Sequence, residues 1–434
     1  MSATKKQVLV IEQNASLKTY YTKAFPKLGL EPKLVNNGQE ALKFLRGSID
    51  GSLFLVVMDW HVVDVPGYLI AQKVRSDQRL AGVDFLICAS ELKTEDTLLM
   101  SELDVVHTLQ KGASTQQIVD KVKAILNEAG RAPRGVKLRK EFEVVLRNGN
   151  LQEATALLAE PELKKEVSGN PRHAHLLGEF EILRKKYDEA MGALRRHVDA
   201  FEGAVDSGAP LDASLGNPLR GVNAYAKALC LKGEFAEAEK LFAKLQSRSP
   251  KNLAHLVSQA DALIGQDKLD EAKIKYAHAL AQDATHRDAL MGMGKVAVVE
   301  GRIEQAQEFF QQVEGGVESP SFASFFNNRA VALIHAGKVD EAVSLYENAL
   351  KFIKRDRFPV MFNLGMAYLR LGQADKAAGI FQQVLDTCRT DFVAKKSVLQ
   401  QFKLLGKEKF IEAYARGAVA ASASDKPEGN PSAS

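Results

Sequence analysis

The chain is short of cysteine, tryptophan and long apolar runs, and each shortage removes a class of protein. Cys88, Cys230 and Cys388 are its three cysteines in 434 residues, too few for a disulfide framework and without metal-ligand spacing. An odd, scattered set predicts reduced thiols inside a cell. The apolar run at 7–11 is too short for a signal peptide or a membrane span, which predicts a cytoplasmic chain with no membrane partner. Net charge is only +4, so no polyanionic partner, and hence no nucleic acid, is expected. With 26% charged and 46% hydrophobic residues the composition is that of an ordinary soluble protein, long enough for two or three domains.

What is present is a repeat. Gly233, Ala238 and Phe242 recur as Gly301, Ala306 and Phe310, as Gly337, Ala342 and Tyr346, and as Gly372, Ala377 and Phe381. Between the first two copies stand Asp267, Ala272 and Tyr276, with Asp in place of Gly. The alanines at 238, 272, 306, 342 and 377 are 34, 34, 36 and 35 residues apart. Such a period, with small residues inside helical segments, predicts stacked helix pairs, neither member of which can bury its apolar face alone. The Gly ends the first helix by adopting a left-handed conformation. The Ala lets the helices approach, and the aromatic fills the space beside it. Twelve positions before each Ala is another small residue: Ala226, Ala260, Gly294, Ala330 and Gly365. Weaker copies centre on Ala154 and Ala190, making about seven. The sequence is similar here to the tetratricopeptide family, through Leu364-Gly365, Tyr368, Ala377 and Phe381, and through Ala238, Phe242 and Pro250.

The first 128 residues follow another rhythm. β-Branched runs at 8–11, 32–35, 53–58, 83–88 and 105–110 alternate with helical patterns at 15–28, 38–45, 68–76, 94–101 and 114–127. This predicts a five-stranded parallel sheet covered on both faces, with any ligand at the carboxyl ends of the strands. Glu12-Gln13, Asp59, Ala89-Ser90 and Lys111 stand at those ends. The set resembles the receiver domain of bacterial response regulators, a flavodoxin-like α/β fold. The resemblance implies that Asp59 is a phosphoacceptor, that Lys111 and Ser90 contact the phosphoryl oxygens, and that Glu12 and Asp59 hold Mg2+. It also implies a histidine kinase or phosphotransfer protein as partner, and a homodimer through the receiver. Gly67, downstream of Asp59, fits the pattern. The chemistry needs these types: a carboxylate nucleophile, a hard-oxygen metal site and a point charge for the phosphoryl group. Four positions depart from the pattern. Gln13 replaces an acid, Ala89 takes the hydroxyl position, Gly112 follows the Lys where Pro is usual, and Thr108 holds the aromatic switch position.

Between the two patterns, residues 129–137 read as a linker broken by Gly130, Pro133 and Gly135. The array is expected over 138–390, a basic capping helix over 391–416 and a disordered tail over 417–434. Alanines 190 and 238 are 48 apart, and the excess falls on an exposed Gly/Ser/Pro-rich loop near 201–218 or on a lengthened helix before it. No catalytic grouping recurs in the array, so the chain is not read as an enzyme. His255, His278, His286 and His335 fall in different registers and read as surface or packing residues.

The tetratricopeptide resemblance implies a groove that binds a protein or peptide. Its register makes Arg220, Asn223, Lys227, Lys295, Asn327, Asn328 and Asn363 candidate contacts. Arg220, Asn223 and Lys227 share one helical face, and Asn328 and Asn363 share a register in consecutive repeats. The amides suit an extended backbone, and the cations suit a carboxylate. The carboxylate clamp of the family needs a fuller Lys/Asn set than this. Three functional readings stand: a signalling adaptor whose receiver regulates or docks the array, a constitutive scaffold (for polarity, motility or secretion machinery) with an inert receiver, and a phosphorelay sink.

Overall fold

A computed structural model describes residues 6–47, 52–62, 64–80, 82–168, 170–313, 316–318, 320–387 and 396–401. Five strands come first: β1 (Lys6–Ile11), β2 (Leu30–Val35), β3 (Leu53–Asp59), β4 (Asp84–Ala89) and β5 (His107–Gln110). They form one parallel sheet in the order β2-β1-β3-β4-β5. Its helices are α1 (Ala15–Ala24), α2 (Gly38–Arg46), α3 (Gly67–Ser76), α4 (Thr94–Glu102) and α5 (Thr115–Arg131). Because both faces are covered, consecutive residues are buried: Val8, Leu9 and Val10 in β1, and Leu55, Val56 and Val57 in β3. Val8, Val10, Leu55, Val57 and Leu86 pack with Tyr21, Phe25, Val122 and Ile125 into one core. The helix expected over 15–28 ends at Ala24, and Pro26 lies in a tighter 3-10 turn.

Helix pairs follow: α6 (Arg134–Arg147) with α7 (Leu151–Leu158), an extra helix α8 (Pro161–Ser168), α9 (Ala174–Leu183) with α10 (Tyr187–Ser207), α11 (Pro218–Lys232) with α12 (Phe235–Arg248), and α13 (Leu253–Gly265) with α14 (Leu269–Gln282). With the sheet they make one compact unit, ending at Ala284. A second unit, from Thr285, holds α15 (Arg287–Val299) with α16 (Ile303–Gln311), α17 (Pro320–His335) with α18 (Val339–Leu350), and α19 (Arg357–Arg370) with α20 (Ala374–Thr387).

The seven key alanines, 154, 190, 238, 272, 306, 342 and 377, are all fully buried. The turn before each pair's second helix is left-handed every time. Gly149, Gly233, Gly301, Gly337 and Gly372 adopt φ between 69° and 89°, and Lys185 and Asp267 adopt 60° and 65° where the sequence has no Gly. A cap of this hand satisfies the end of the first helix, so two repeats accept a strained side chain to keep it. The small residues meet the aromatics: a Cβ on Gly294 would lie 2.2 Å from the Phe310 ring, and one on Gly365 would lie 2.4 Å from Phe381.

Two sequence expectations shift. The linker expected over 129–137 is helical at both ends, leaving Ala132 and Pro133 as the joint between α5 and α6. Gly130 stays helical because nothing crowds it, and Gly135 sits where a Cβ would press to 3.1 Å from the Glu162 carbonyl oxygen. The surplus near 201–218 is shared between helix and loop: α10 runs 21 residues, buries Phe201 and stops at left-handed Gly208, and a loop with a short 3-10 turn follows to Asn217. Residues 396–401 are helical and bury Val398; the rest of the expected capping helix, the tail and Cys388 lie outside the described residues.

Candidate functional site

The carboxyl ends of the strands gather the expected groups. Asp59 closes β3, and its Oδ2 pairs with Lys111 Nζ at 2.6 Å. Its Oδ1 accepts the His61 backbone N–H at 2.9 Å. The Asp59 hydrogen bond and charge raise the pKa of Lys111 above the usual lysine value. Lys111 is placed by its own N–H, which donates to the Ala89 carbonyl at 2.8 Å. Glu12 follows β1, with its Oε1 accepting the Asn14 N–H at 2.8 Å, whereas Gln13 and Ser90 are exposed. Gly67 opens α3 directly on the end of β3: a Cβ there would lie 2.6 Å from the Asp59 carbonyl oxygen and 2.8 Å from that of Trp60. That contact explains the requirement for Gly. Cys88 lies on the neighbouring strand, and burial, with Asp59 and Glu12, pushes its thiol up to about 11, so it stays protonated and unreactive.

Mg2+ binds through one or two carboxylates, several waters and substrate phosphate oxygens. Glu12 and Asp59 supply two hard oxygen donors of that kind, and the chemistry of the set fits the ion. No group of three or more His, Cys, Asp or Glu poised for a metal occurs among the described residues.

A polar path leads from Asp59 to the repeats. Its neighbour Trp60 is almost fully buried, and the indole N–H donates to Asp96 Oδ1 at 2.9 Å. The same oxygen accepts from Lys251 Nζ at 2.7 Å. Lys251 also pairs with Glu95 at 2.9 Å and lies over the Tyr68 ring. Burial alone would raise the pKa of Asp96; the hydrogen bonds from Lys251 and Trp60 outweigh it and hold the carboxyl below its usual range.

Around this path, α3 and α4 meet the first turns of α11 and α13. Asn217 and Asn252 are the N-caps of those helices, 35 residues apart. Each uses its oxygen as a cap, on Arg220 N and Ala254 N at 3.2 and 3.1 Å. Each turns its amide nitrogen to the α/β domain: Asn217 donates to the Ser101 carbonyl at 2.7 Å, and Asn252 donates to Glu102. Glu102 also meets His255 Nε2 at 3.0 Å, both side chains being nearly inaccessible. Gln72 accepts the N–H of Leu253, the first residue of α13, at 2.9 Å and donates to the Lys251 carbonyl at 3.0 Å. Lys73 pairs with Asp283 at 2.6 Å. Leu98 packs against the core shared by α10, α11 and α12.

Asp104, after α4, is held in a left-handed conformation, φ 52°. Arg147 and Arg220 pair with it, and Arg220 also grips Glu179 through two bonds of 2.7 Å. Burial works against the Asp104 and Glu179 carboxylates, but the guanidinium of Arg220 holds both below their usual range.

The groove candidates therefore separate. Arg220 lies on the face expected of it but is engaged by Glu179 and Asp104, because its fork reaches two carboxylates across the helix packing. Lys227, two turns on, is exposed; Asn223 is half-buried and its Oδ1 has no hydrogen-bond partner in the protein. In the second unit Lys295 lies 5.0 Å over the Phe325 ring. Asn363 keeps the register of Asn328, but its amide donates to Asn327 Oδ1 at 2.8 Å across α17 and α19, while Asn328 stays exposed. Sequence reasoning placed Asp59 and Lys111 together. It passed over Asp96, Glu102, Lys251 and Asn252, and read His255 as a surface or packing residue.

Residues 321–390 match the tetratricopeptide-repeat family model. Cellulose synthase 1 operon protein C of Komagataeibacter xylinus is 22% identical over 213 residues, 48% of this chain and 15% of that protein. Transcriptional regulatory protein GltR of Pseudomonas aeruginosa is 22% identical over 129 residues, 30% of this chain and 52% of that protein. The chain thus spans about half the length or less of these curated relatives. Among solved structures, the signal receiver domain of a signal transduction histidine kinase from Syntrophus aciditrophicus is 17% identical, with TM-score 0.25, covering 30% of this chain and 96% of that one. No helix among the described residues is long and apolar enough to cross a membrane.

Proposed function

We propose that this chain, a receiver-type α/β domain continued by a tetratricopeptide array, is a signal-transduction adaptor. Asp59 accepts a phosphoryl group, and the receiver passes its state to repeats that hold a protein or peptide partner. One observation carries the reading: Trp60, bonded in sequence to Asp59, shares Asp96 with Lys251 of the array. A change of charge at Asp59 acts within two hydrogen bonds of the repeats.

The step itself is a displacement at phosphorus. The Asp59 carboxylate forms the new P–O bond, while the bond to the donor breaks and its electron pair leaves with the donor. Lys111, 2.6 Å from Asp59, would meet the phosphoryl oxygens with a positive charge. When bound by Glu12 and Asp59, Mg2+ would supply further charge neutralisation. The backbone N–H of His61, now on Asp59 Oδ1, orients the carboxylate. Such catalysis rests on positioning and charge. Asn223 and Lys227 in the first unit remain contacts proposed for a protein or peptide partner, as do Lys295 and Asn328 in the second.

The test is incubation of the full chain with acetyl phosphate and Mg2+, read by intact mass and Trp60 emission. One phosphoryl adduct, absent in Asp59→Ala and accompanied by an emission change, is expected. No adduct, or one that survives Asp59→Ala, overturns the reading.

A further inference from the structure

The face that α11 and α13 turn to the receiver has the makings of a specific binding site. Its donors stand in two rows one repeat apart, Asn217 with Arg220 and Asn252 with Lys251 and His255. Opposite them lie Glu95, Asp96, Leu98, Glu102 and Asp104 of one short segment. Every cation meets a carboxylate, and Leu98 reaches the apolar core behind them. The Glu102–His255 contact is buried, with side chains 5% and 3% exposed, so it discriminates against sequences that cannot fill it. The contacts to Glu95 and Asp104 are partly wet and give steering more than affinity.

The two asparagines add a second argument. A cap needs only the side-chain oxygen, and Ser, Thr or Asp would serve. Both positions carry Asn, and both spend the amide nitrogen on the receiver. These helix starts therefore carry a recognition function beyond capping.

Occupancy by α4 is helped by connection. The receiver joins the repeats through α5, the two residues Ala132 and Pro133, and α6. A short tether gives an effective concentration of order millimolar, so modest contacts suffice in cis. A helix arriving from another protein can take the site when it binds tighter or when the internal contact is loosened.

We infer that this edge of the array is a receptor for acidic helices, that α4 is its internal ligand, and that the partner it fits is a protein helix with the pattern acid-acid-x-Leu-x-x-x-acid read from Glu95 to Glu102. The inference takes from the adaptor reading only that the array binds protein. It does not need Asp59 to be phosphorylated, so its test contains no phosphoryl donor. A basic helix would set cations against Arg220 and Lys251 and is excluded by charge.

The probe is a labelled peptide spanning residues 91–105, titrated into the full chain and read by anisotropy. In a chain carrying Glu95→Lys with Leu98→Ala, which loosens the internal helix, the peptide binds at least about tenfold tighter than in the wild type. Adding Lys251→Glu and Asn252→Asp to the array removes that gain; Asn252→Asp keeps the capping oxygen of α13 and sets a carboxylate against acidic ligands. A scrambled peptide of equal charge binds at least about tenfold more weakly. Equal binding to the wild-type and loosened chains, indifference to Lys251→Glu with Asn252→Asp, or equal binding of the scrambled peptide overturns the inference. Should the loosened receiver fail to fold, Lys251→Glu with Asn252→Asp in an otherwise wild-type chain decides the matter. It releases α4 and changes Trp60 emission at unchanged far-UV ellipticity; an unchanged emission overturns the inference.

Discussion

Replacing Arg220 separates a groove ligand from a structural cation. Its guanidinium makes two bonds of 2.7 Å to Glu179, lies 3.2 Å from Asp104, and has a side chain only 10% exposed. Arg220→Ala leaves the half-buried Glu179, 21% exposed, without its partner, and Asp104 with only the arginines beside it. Breaking a buried pair by removing one member costs about 3–5 kcal/mol. Arg220→Lys keeps the charge but loses the fork, so a smaller loss of about 1–3 kcal/mol is expected. Arg220→Met with Glu179→Leu removes both charges, and at least about 2 kcal/mol of the loss returns, since hydrophobic replacement of a buried pair is often near neutral. The assay is urea unfolding followed by emission of Trp60, the one tryptophan of the chain, which lies in the same unit as Arg220. A loss below about 1 kcal/mol for Arg220→Ala at unchanged slope would refute the buried network. Arg220 would then be the free side chain that a groove ligand requires.

The buried histidines set a pH dependence. Burial, reinforced by Arg220, lowers His175 to about 3, and burial lowers His197 as well. The unfolded chain takes up these protons near pH 6.5 while the folded chain does not. Stability is therefore complete above that value and falls as the pH drops toward the folded pKa, with His175 alone costing about 2 kcal/mol at pH 5; a urea midpoint unchanged between pH 7 and 5 would contradict this. Gly192→Ala, in the interior of α10 with no atom within 4 Å of the new Cβ, stabilises by up to about 1 kcal/mol, whereas Gly233→Ala, at φ 89°, destabilises by about 1–2 kcal/mol; thermal melts that rank the two the other way would refute the cap argument. Gly294→Ala drives a methyl to 2.2 Å from Phe310 and costs about 1–3 kcal/mol, which Phe310→Leu in the same chain partly restores; loss of helical signal on denaturant titration is the measurement.

Both architectures could be read from periodicity because their physics is local. A strand buried on both faces must be apolar throughout, as 8–11 and 53–58 are, and a helix pair must repeat its small residues and its turn. Even the left-handed turn at Asp267, where the expected Gly is missing, could be placed from register alone. Asp59 and Lys111 followed because strand ends in such a sheet converge. The joint was harder. Gly130, Pro133 and Gly135 signal a break, but helices continue around them because Gly135 is needed for close packing on Glu162, not for a turn.

The docking of the receiver on the repeats was not legible, and the reason is specific. Several of the residues that make it have a sufficient local role. Asn217 and Asn252 are good caps, Glu95 and Asp96 are acids in the first turn of α4, where the helix dipole favours them, and His255 falls within a helix like any packing residue. A local role hides a long-range one when one side chain has atoms for both. Asn shows this most clearly: the oxygen answers to its own helix and the nitrogen is left over. The cue that did exist was choice within an equivalence class, since two successive repeats begin with Asn where Ser or Asp would cap as well. A leftover donor at a repeating helix start is a place where a solenoid can be read by something else, and here that reader is the domain carrying Asp59.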